Sequence, residues 1–346
     1  DRYKLLRRVT FDLTGLPPTP DEIEAFINDR SERAFENVVD RLLESQAFGD
    51  HWARHWFDLS CYADLAGING GVLVRDAGRY RDYVIAAFNS DKPLNLFIHE
   101  QIAGDQLPFE NIEQQRELII ATGYLAIGPW VLQNYIKGQM DADVVDHQID
   151  RIGRTFLGQT ISCARCHDHK FDPIPQRDYY ALAGIFASTE TRFGTFEGPG
   201  NRNASELIEI PAGADLPDGS TFPTAARSLI IAAKDRAENQ LRAAEELRAE
   251  MRASGIRDIR SARDRLTPQQ QRVFQQARNA EGARDIAQSI LDRFDKAGRP
   301  TIDNFVCMGV AEGEIRNAPF LERGELENPG NAIPRGFVQV LNSDWT

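Results

Sequence analysis

Two cysteines and a histidine stand in the run Cys163-Ala164-Arg165-Cys166-His167. Residues of these types at this spacing suit a definite chemistry. Two thiols three positions apart can each add to one vinyl group of a haem, and the adjacent imidazole can then reach the iron as its proximal ligand. C-x-x-C-H is the attachment signature of a c-type haem, with Cys163 and Cys166 as thioether residues and His167 on the iron. Two other chemistries share part of the pattern. A closed zinc site wants four ligands, but Cys61 and Cys307 are isolated and His169 lies very close to His167. A thioredoxin-like dithiol expects a strand followed by a helix, whereas the stretch before Cys163 reads as helix.

If a haem is bound, the group opposite His167 sets its chemistry. A histidine or methionine there favours electron transfer, and an open position permits small-ligand or peroxide chemistry. The histidine candidates are His51, His55, His147 and His169; the methionines are Met140, Met251 and Met308. His169 is badly placed to reach the opposite face of the same haem and reads as a local hydrogen-bonding group. Arg54, Arg154 and Arg165 are candidates to pair with haem propionates. Asp168 and Asp172 read as turn and capping residues rather than as an acid–base pair.

These residues need elements to hold them, and the patterning predicts a mainly α chain. Thr19-Pro20-Asp21-Glu22 combines an N-cap, a proline at the first helical position and a capping-box glutamate. Phe35, Val38, Val39, Leu42 and Leu43 then repeat at helical spacing. A helix over 47–63 places His51 and His55 on one face, with Trp52 and Trp56 as a neighbouring stripe. It reads either as a wall lying against a haem or as a buried aromatic face with satisfied histidines. A loop at 67–71 precedes helices near 79–88, 94–103, 114–126, 141–157 and 176–186. Residues 191–224, rich in Gly, Pro, Asn and Asp, read as an irregular connection with one short strand near 206–210. Two polar Ala- and Arg-rich helices follow within 225–297, the second opening on Thr267-Pro268, and read as an antiparallel hairpin arm. Strand-like alternation at 304–310 and 336–341 makes 298–346 a small β-containing segment that leads towards a following domain. The expected architecture is therefore a multi-helix haem module over 1–190, a connection, a helical hairpin and a β-containing tail.

Composition narrows the function classes. The chain has 346 residues, 42% of them hydrophobic, with a formal charge of −12 and a pI near 5.1. Its acidity argues against nucleic acid as a partner. No stretch approaches the length of a membrane span, so a soluble chain is expected. No secretory apolar region stands at the start, where the sequence opens in mid-pattern. No dinucleotide fingerprint or P-loop is present. Cys61 and Cys307 are candidates for a disulfide in an oxidising compartment.

The run Phe156-Leu157-Gly158-Gln159-Thr160 through Cys163-Ala164-Arg165-Cys166-His167-Asp168-His169-Lys170-Phe171-Asp172-Pro173-Ile174 resembles the planctomycete cytochrome c-like family of unknown function. This is the second of two cytochrome-like domains named for planctomycetes. Further landmarks agree: Leu13-Thr14-Gly15-Leu16-Pro17-Pro18, Trp52-Ala53-Arg54-His55-Trp56, Tyr62-Ala63-Asp64, Tyr80-Arg81-Asp82-Tyr83-Val84-Ile85, Gln101-Ile102-Ala103-Gly104-Asp105 and Gln176-Arg177-Asp178-Tyr179-Tyr180. The resemblance covers most of 1–190 and resumes near 307–341. Cys61 departs from it, standing where the family usually has arginine, and 65–71 is more apolar than the pattern.

The resemblance implies one covalent haem c and redox work in the periplasm or outside a bacterial cell. Sequence is expected before this chain, and a further planctomycete-specific domain after it. His55, inside the Trp-Ala-Arg-His-Trp run, becomes the leading distal ligand. The expected function is a cytochrome c that passes electrons to a redox partner protein or to further haem domains of the same protein. The alternatives are a haem-dependent oxidoreductase acting on an unknown substrate, and a structural or assembly protein stapled by haem that oligomerises through the hairpin.

Overall fold

A computed structural model describes residues 1–66, 72–74, 76–132, 136, 138–195, 203–211, 224–253, 266–291 and 306–341. The loop read at 67–71 and most of the connection read at 191–224 lie outside them. Helices dominate: α1 (Arg2–Thr14), α2 (Pro20–Asn28), α3 (Ala34–Leu43), α4 (Gln46–Ser60), α5 (Ala77–Asn89), α6 (Leu94–Ala103), α7 (Ile112–Ala121), α8 (Gly123–Ala126), α9 (Gln139–Ile152) and α10 (Gln176–Phe186) precede the long pair α11 (Thr224–Ala253) and α12 (Pro268–Leu291). The strands form antiparallel pairs: β1 (Leu65–Ala66) with β2 (Val72–Leu73), β3 (Thr189–Arg192) with β6 (Gly309–Glu312), β4 (Ile208–Glu209) with β5 (Val306–Cys307), and β7 (Ala318–Leu321) with β8 (Pro329–Ile333). The expected mainly α class is observed.

Local signals explain several boundaries. The Thr19 side chain accepts from the Glu22 N–H and the Glu22 carboxylate accepts from the Thr19 N–H, the reciprocal capping box read from sequence. Thr267 and Gln270 make the same exchange before α12. The helix expected over 114–126 is divided at Thr122, whose hydroxyl bonds back to the Ile119 carbonyl and competes with the helical ladder. The helix expected over 141–157 is α9 followed by a wide π turn, Gly153–Leu157.

Two apolar clusters result. Leu6, Phe26, Ala34, Val38 and Leu42 pack α1, α2 and α3 together. The larger cluster runs from α4 through α10 and takes in Met308, Val310, Leu321, Ile333 and Val338. The β-containing tail is therefore part of the helical core rather than an appendage to it. Polar bolts cross this core. Trp56 Nε1 donates to both the Tyr80 hydroxyl and Gln101 Oε1, at 2.9 and 3.0 Å, while Tyr80 donates to the same Gln101 oxygen. The buried Arg151 guanidinium donates to the Tyr124 and Ile127 carbonyls and so ties α9 to the end of α8.

The expected strand at 336–341 is absent. Its backbone is captured instead by the buried carboxylate of Asp178, which accepts both the Gln339 N–H and the Gln339 side-chain amide at 2.9 Å. A short 3-10 turn follows at Gln339–Leu341. The hairpin arm forms as expected: Ala237, Ala244 and Met251 of α11 are buried, as are Ala277, Ala280 and Ala287 of α12. Arg248, late in α11, lies over Phe274, early in α12, as an antiparallel pair requires.

Gln101 is the acceptor for two buried donors, so Gln101→Met should leave the Trp56 N–H and the Tyr80 hydroxyl without it. An unsatisfied buried group costs about 1–3 kcal/mol. Denaturant unfolding should show a loss of that order for Gln101→Met and a smaller one for Tyr80→Phe.

Candidate functional site

The Cys-x-x-Cys run lies on a 3-10 turn, Ile161–Arg165, not on an α-helix. With three residues per turn, side chains at i and i+3 lie over one another. Residues 161–166 therefore sort into three faces. Ile161 and Ala164 are buried in the core. Ser162 and Arg165 face α9. Cys163 and Cys166 are left together on the exposed face, both as free thiols.

The chain reaches this turn through a tight reversal. A side chain at Gly153 would place its Cβ 2.7 Å from the Gln159 carbonyl and 3.1 Å from Ile161. The absence of one lets residues 159–161 fold back across the end of α9, closed by a hydrogen bond from the Gln159 N–H to the Gly153 carbonyl. Gly158, with φ 64°, makes the turn itself.

Helix α9 presents Asp143, Asp146 and Asp150 to the second face. The Arg165 guanidinium lies 3.7 and 3.4 Å from Asp143 and Asp146, and Ser162 donates to Asp150 at 2.7 Å. Burial opposes the Arg165 charge, but the facing Tyr179, Asp146 and Asp143 outweigh it and hold its pKa above the ordinary arginine value. The Arg165 carbonyl is held as firmly: Gln176 Nε2 and the Tyr180 hydroxyl, one turn apart on α10, reach it at 2.9 and 2.8 Å. Arg165 thus differs from the sequence expectation. Two carboxylates already face the charge that was to meet a propionate. Arg154 pairs with Asp150 at 2.8 Å but stays largely exposed, within electrostatic reach of both Cys163 and Cys61. Arg54 is exposed on α4.

His167 is exposed, and its Nδ1 lies 2.7 Å from the Asp168 carbonyl. A carbonyl only accepts, so Nδ1 carries the proton and Nε2 keeps its lone pair for a metal. His169 is the reverse case. Its Nδ1 accepts the Asp172 N–H at 2.8 Å and the Phe171 N–H at 3.3 Å, which leaves Nε2 to donate to the Thr160 hydroxyl at 3.0 Å. With both nitrogens engaged it pins the loop after the motif, the local role read from sequence, and has no free nitrogen for zinc. Asp168 accepts the Gln176 N–H at the start of α10, a capping contact.

The other candidates lie on other elements. On α4, Gly49, Ala53, Trp56 and Ser60 are buried, and Trp56 packs against Phe156 of the π turn at 6.1 Å. His55 and Trp52 are on the exposed side with ring centroids 5.2 Å apart, and His51 is 5.8 Å from His55. Trp56 is thus inside the core and Trp52 at its exposed edge, and the ring contacts of His55 are to His51 and Trp52. His147 packs on Trp130, and burial lowers its pKa. Met140, Met251 and Met308 are buried. Cys61 is exposed and Cys307 buried, and both are free thiols, so the pairing left open by the sequence is not formed. Burial pushes the Cys307 thiol up to about 12, which leaves it protonated and unreactive.

Sequence reading missed Asp143, Asp146 and Asp150, although their i, i+3, i+7 spacing marks one helix face. It also missed Gln176 and Tyr180 as carbonyl clamps. Among the described residues, no three His, Cys, Asp or Glu side chains converge as a metal-binding group. Residues 1–191, which include the whole motif, match the family PSCyt2, described as a protein of unknown function (DUF1549). No curated protein and no solved structure matches the chain.

Arg165→Met should strand the Asp143 and Asp146 carboxylates and loosen the turn. Both are partly exposed, so the loss should be about 1–3 kcal/mol, below that of a fully buried pair. Arg165→Lys, lacking the planar fork, should restore only part of it. Denaturant unfolding gives the magnitude, and faster amide hydrogen exchange at residues 161–167 locates it.

Proposed function

The chain belongs to the PSCyt2 family, and from that premise we propose that it is a c-type haem protein that carries electrons outside the cytoplasm. The observation that supports this reading best is the three-faced turn. It exposes two thiols on one side, fixes the backbone beneath them, and is followed at once by an imidazole with a free Nε2. A redox dithiol needs no adjacent imidazole, and a closed zinc site wants four ligands where this run offers three. The donor set fits a covalently held haem.

Cys163 and Cys166 would form the thioethers. Each adds its sulfur to one vinyl carbon and its hydrogen to the other, so attachment consumes reduced thiols and needs no oxidant. His167 would hold the iron through Nε2, with the Asp168 carbonyl keeping its tautomer and ring orientation. The bound group would supply a one-electron iron couple. Arg54 and Arg154, both exposed, are the cations we assign to the propionates.

We assign His55 as the second residue that would hold the iron. His169 has both nitrogens engaged, His147 is half-buried on Trp130, and Gly15 packs against the His51 ring. Attachment of c-type haem takes place on the outer side of the cytoplasmic membrane, which supports a periplasmic or extracellular location. Among the described residues no helix is long and apolar enough to cross a membrane. The electron would pass to a redox partner protein or to further haem domains of the same protein.

Material matured in a host competent for c-type haem should show one added haem in the intact mass of the denatured chain. The bare polypeptide mass would overturn the proposal. His167→Ala should retain thioether chemistry while changing the iron spectrum. An unchanged ligand field would mean that another residue holds the iron. With His55 as sixth ligand the ferric protein should be low-spin, and His55→Ala should open it to cyanide. Rapid carbon monoxide binding by the ferrous wild type would instead indicate an open site and ligand chemistry.

A further inference from the structure

The family match ends at residue 191, yet the surface beside Cys166 is built by the distant C-terminal segment. There the chain makes a short turn, Glu322–Gly324, directly after β7. Two successive residues are left-handed, Arg323 at φ 55° and Gly324 at φ 74°. A residue with a side chain rarely adopts that conformation, and it persists where surrounding contacts impose it.

Specific contacts impose it here. Leu321, at the start of the turn, is buried; its carbonyl lies 3.0 Å from Gln176 Nε2, whose two hydrogens can serve both carbonyls, and 3.0 Å from the Tyr180 hydroxyl, which shares its single hydrogen with the Arg165 carbonyl. These are the two groups that also reach the Arg165 carbonyl. One pair of α10 side chains thus locks the motif and the distant turn to each other. At that junction a Cβ on Gly324 would stand 2.9 Å from Cys166 Sγ and 3.4 Å from Arg165 Cγ. The turn cannot retreat without breaking the bonds at Leu321.

We propose that Glu322–Gly324 is the rim of the thioether site at Cys166, and that Gly324 is a positioning residue whose missing side chain leaves that sulfur free to turn towards a vinyl group. The proposal rests on the haem reading and adds that the cofactor site is bipartite, completed by residues outside the matched span. The three atoms nearest a Cβ on Gly324 belong to Cys166 and Arg165, none of them to Cys163. The two thiols should therefore respond differently to a change at one glycine.

Three variants of the full chain test this: Gly324→Ala; Gly324→Asn, whose side chain tolerates left-handed backbone but still carries a Cβ; and Gly138→Ala, where φ is 79° but nothing lies within 4 Å of the added atom. Iodoacetamide labelling of the haem-free folded chain, read by peptide mass, should be several-fold slower at Cys166 in both Gly324 variants and unchanged at Cys163. The Gly138 variant should label like wild type. After maturation the Gly324 variants should hold haem through Cys163 alone. Cys166 should then be alkylated on denaturation, and the reduced pyridine spectrum should move to that of a haem with one remaining vinyl.

Equal labelling of Cys166 in wild type and both Gly324 variants would overturn the rim. So would an equal loss at both thiols, or suppression by Gly324→Ala but not by Gly324→Asn, since these report unfolding or backbone strain. If wild type takes up haem and the variants do so through both thiols, the rim alone fails. If wild type takes up none, the haem reading fails and takes the rim's proposed role with it, whatever the labelling shows.

Discussion

Arg165 is the junction on which the site depends. Its guanidinium engages Asp143 and Asp146 of α9, and its carbonyl receives Gln176 and Tyr180 of α10. One residue inside the Cys-x-x-Cys spacing therefore ties the motif to two helices at once. Because Gln176 and Tyr180 also hold the Leu321 carbonyl, the tail is fixed to the same point. A largely buried arginine is expensive to desolvate, and only facing carboxylates make its burial tolerable. This explains why the acidic residues of α9 are concentrated on the side that meets the turn.

The 3-10 form of the motif follows from these restraints. An α-helical Cys-x-x-Cys would rotate the thiols about 60° apart, since three steps of 100° fall short of a full circle. The tighter turn brings positions 161 and 164, 162 and 165, and 163 and 166 into register. Apolar, ion-pairing and reactive pairs are thereby separated onto three sides. The folded polypeptide already presents both thiols together, so little chain ordering would remain for a bound group to impose. The two histidines that follow divide the remaining work: His167 keeps a free Nε2 at the surface, and His169 spends both nitrogens holding the loop.

The overall acidity of the chain, −12, is not uniform around this centre. Arg154 and Arg54 are exposed cations on the elements flanking the motif, while the carboxylates of Asp143, Asp146 and Asp150 are turned inward on arginine and serine partners.

Much was legible without coordinates. The Cys163-to-His167 spacing, the capping boxes at Thr19 and Thr267, the helical periods and the mainly α class are local properties. They depend on residues within a few positions of one another, and the landmarks of residues 1–191 carried the family. Other features required the fold. Arg165 reads as a free cation until α9 brings two carboxylates to it. Trp52 and Trp56 read as one stripe until packing buries one and exposes the other. The strand pattern at 336–341 loses to the buried Asp178, which captures the backbone that a ladder would have used. Nothing near residue 324 announces that Gly324 meets Cys166, 158 positions away in the chain. The sequence by itself determined the reactive groups and the local geometry available to them. Tertiary structure decided which charges are already partnered and which distant backbone borders the thiols, because ion pairing and steric contact act through space and leave no periodic trace along the chain.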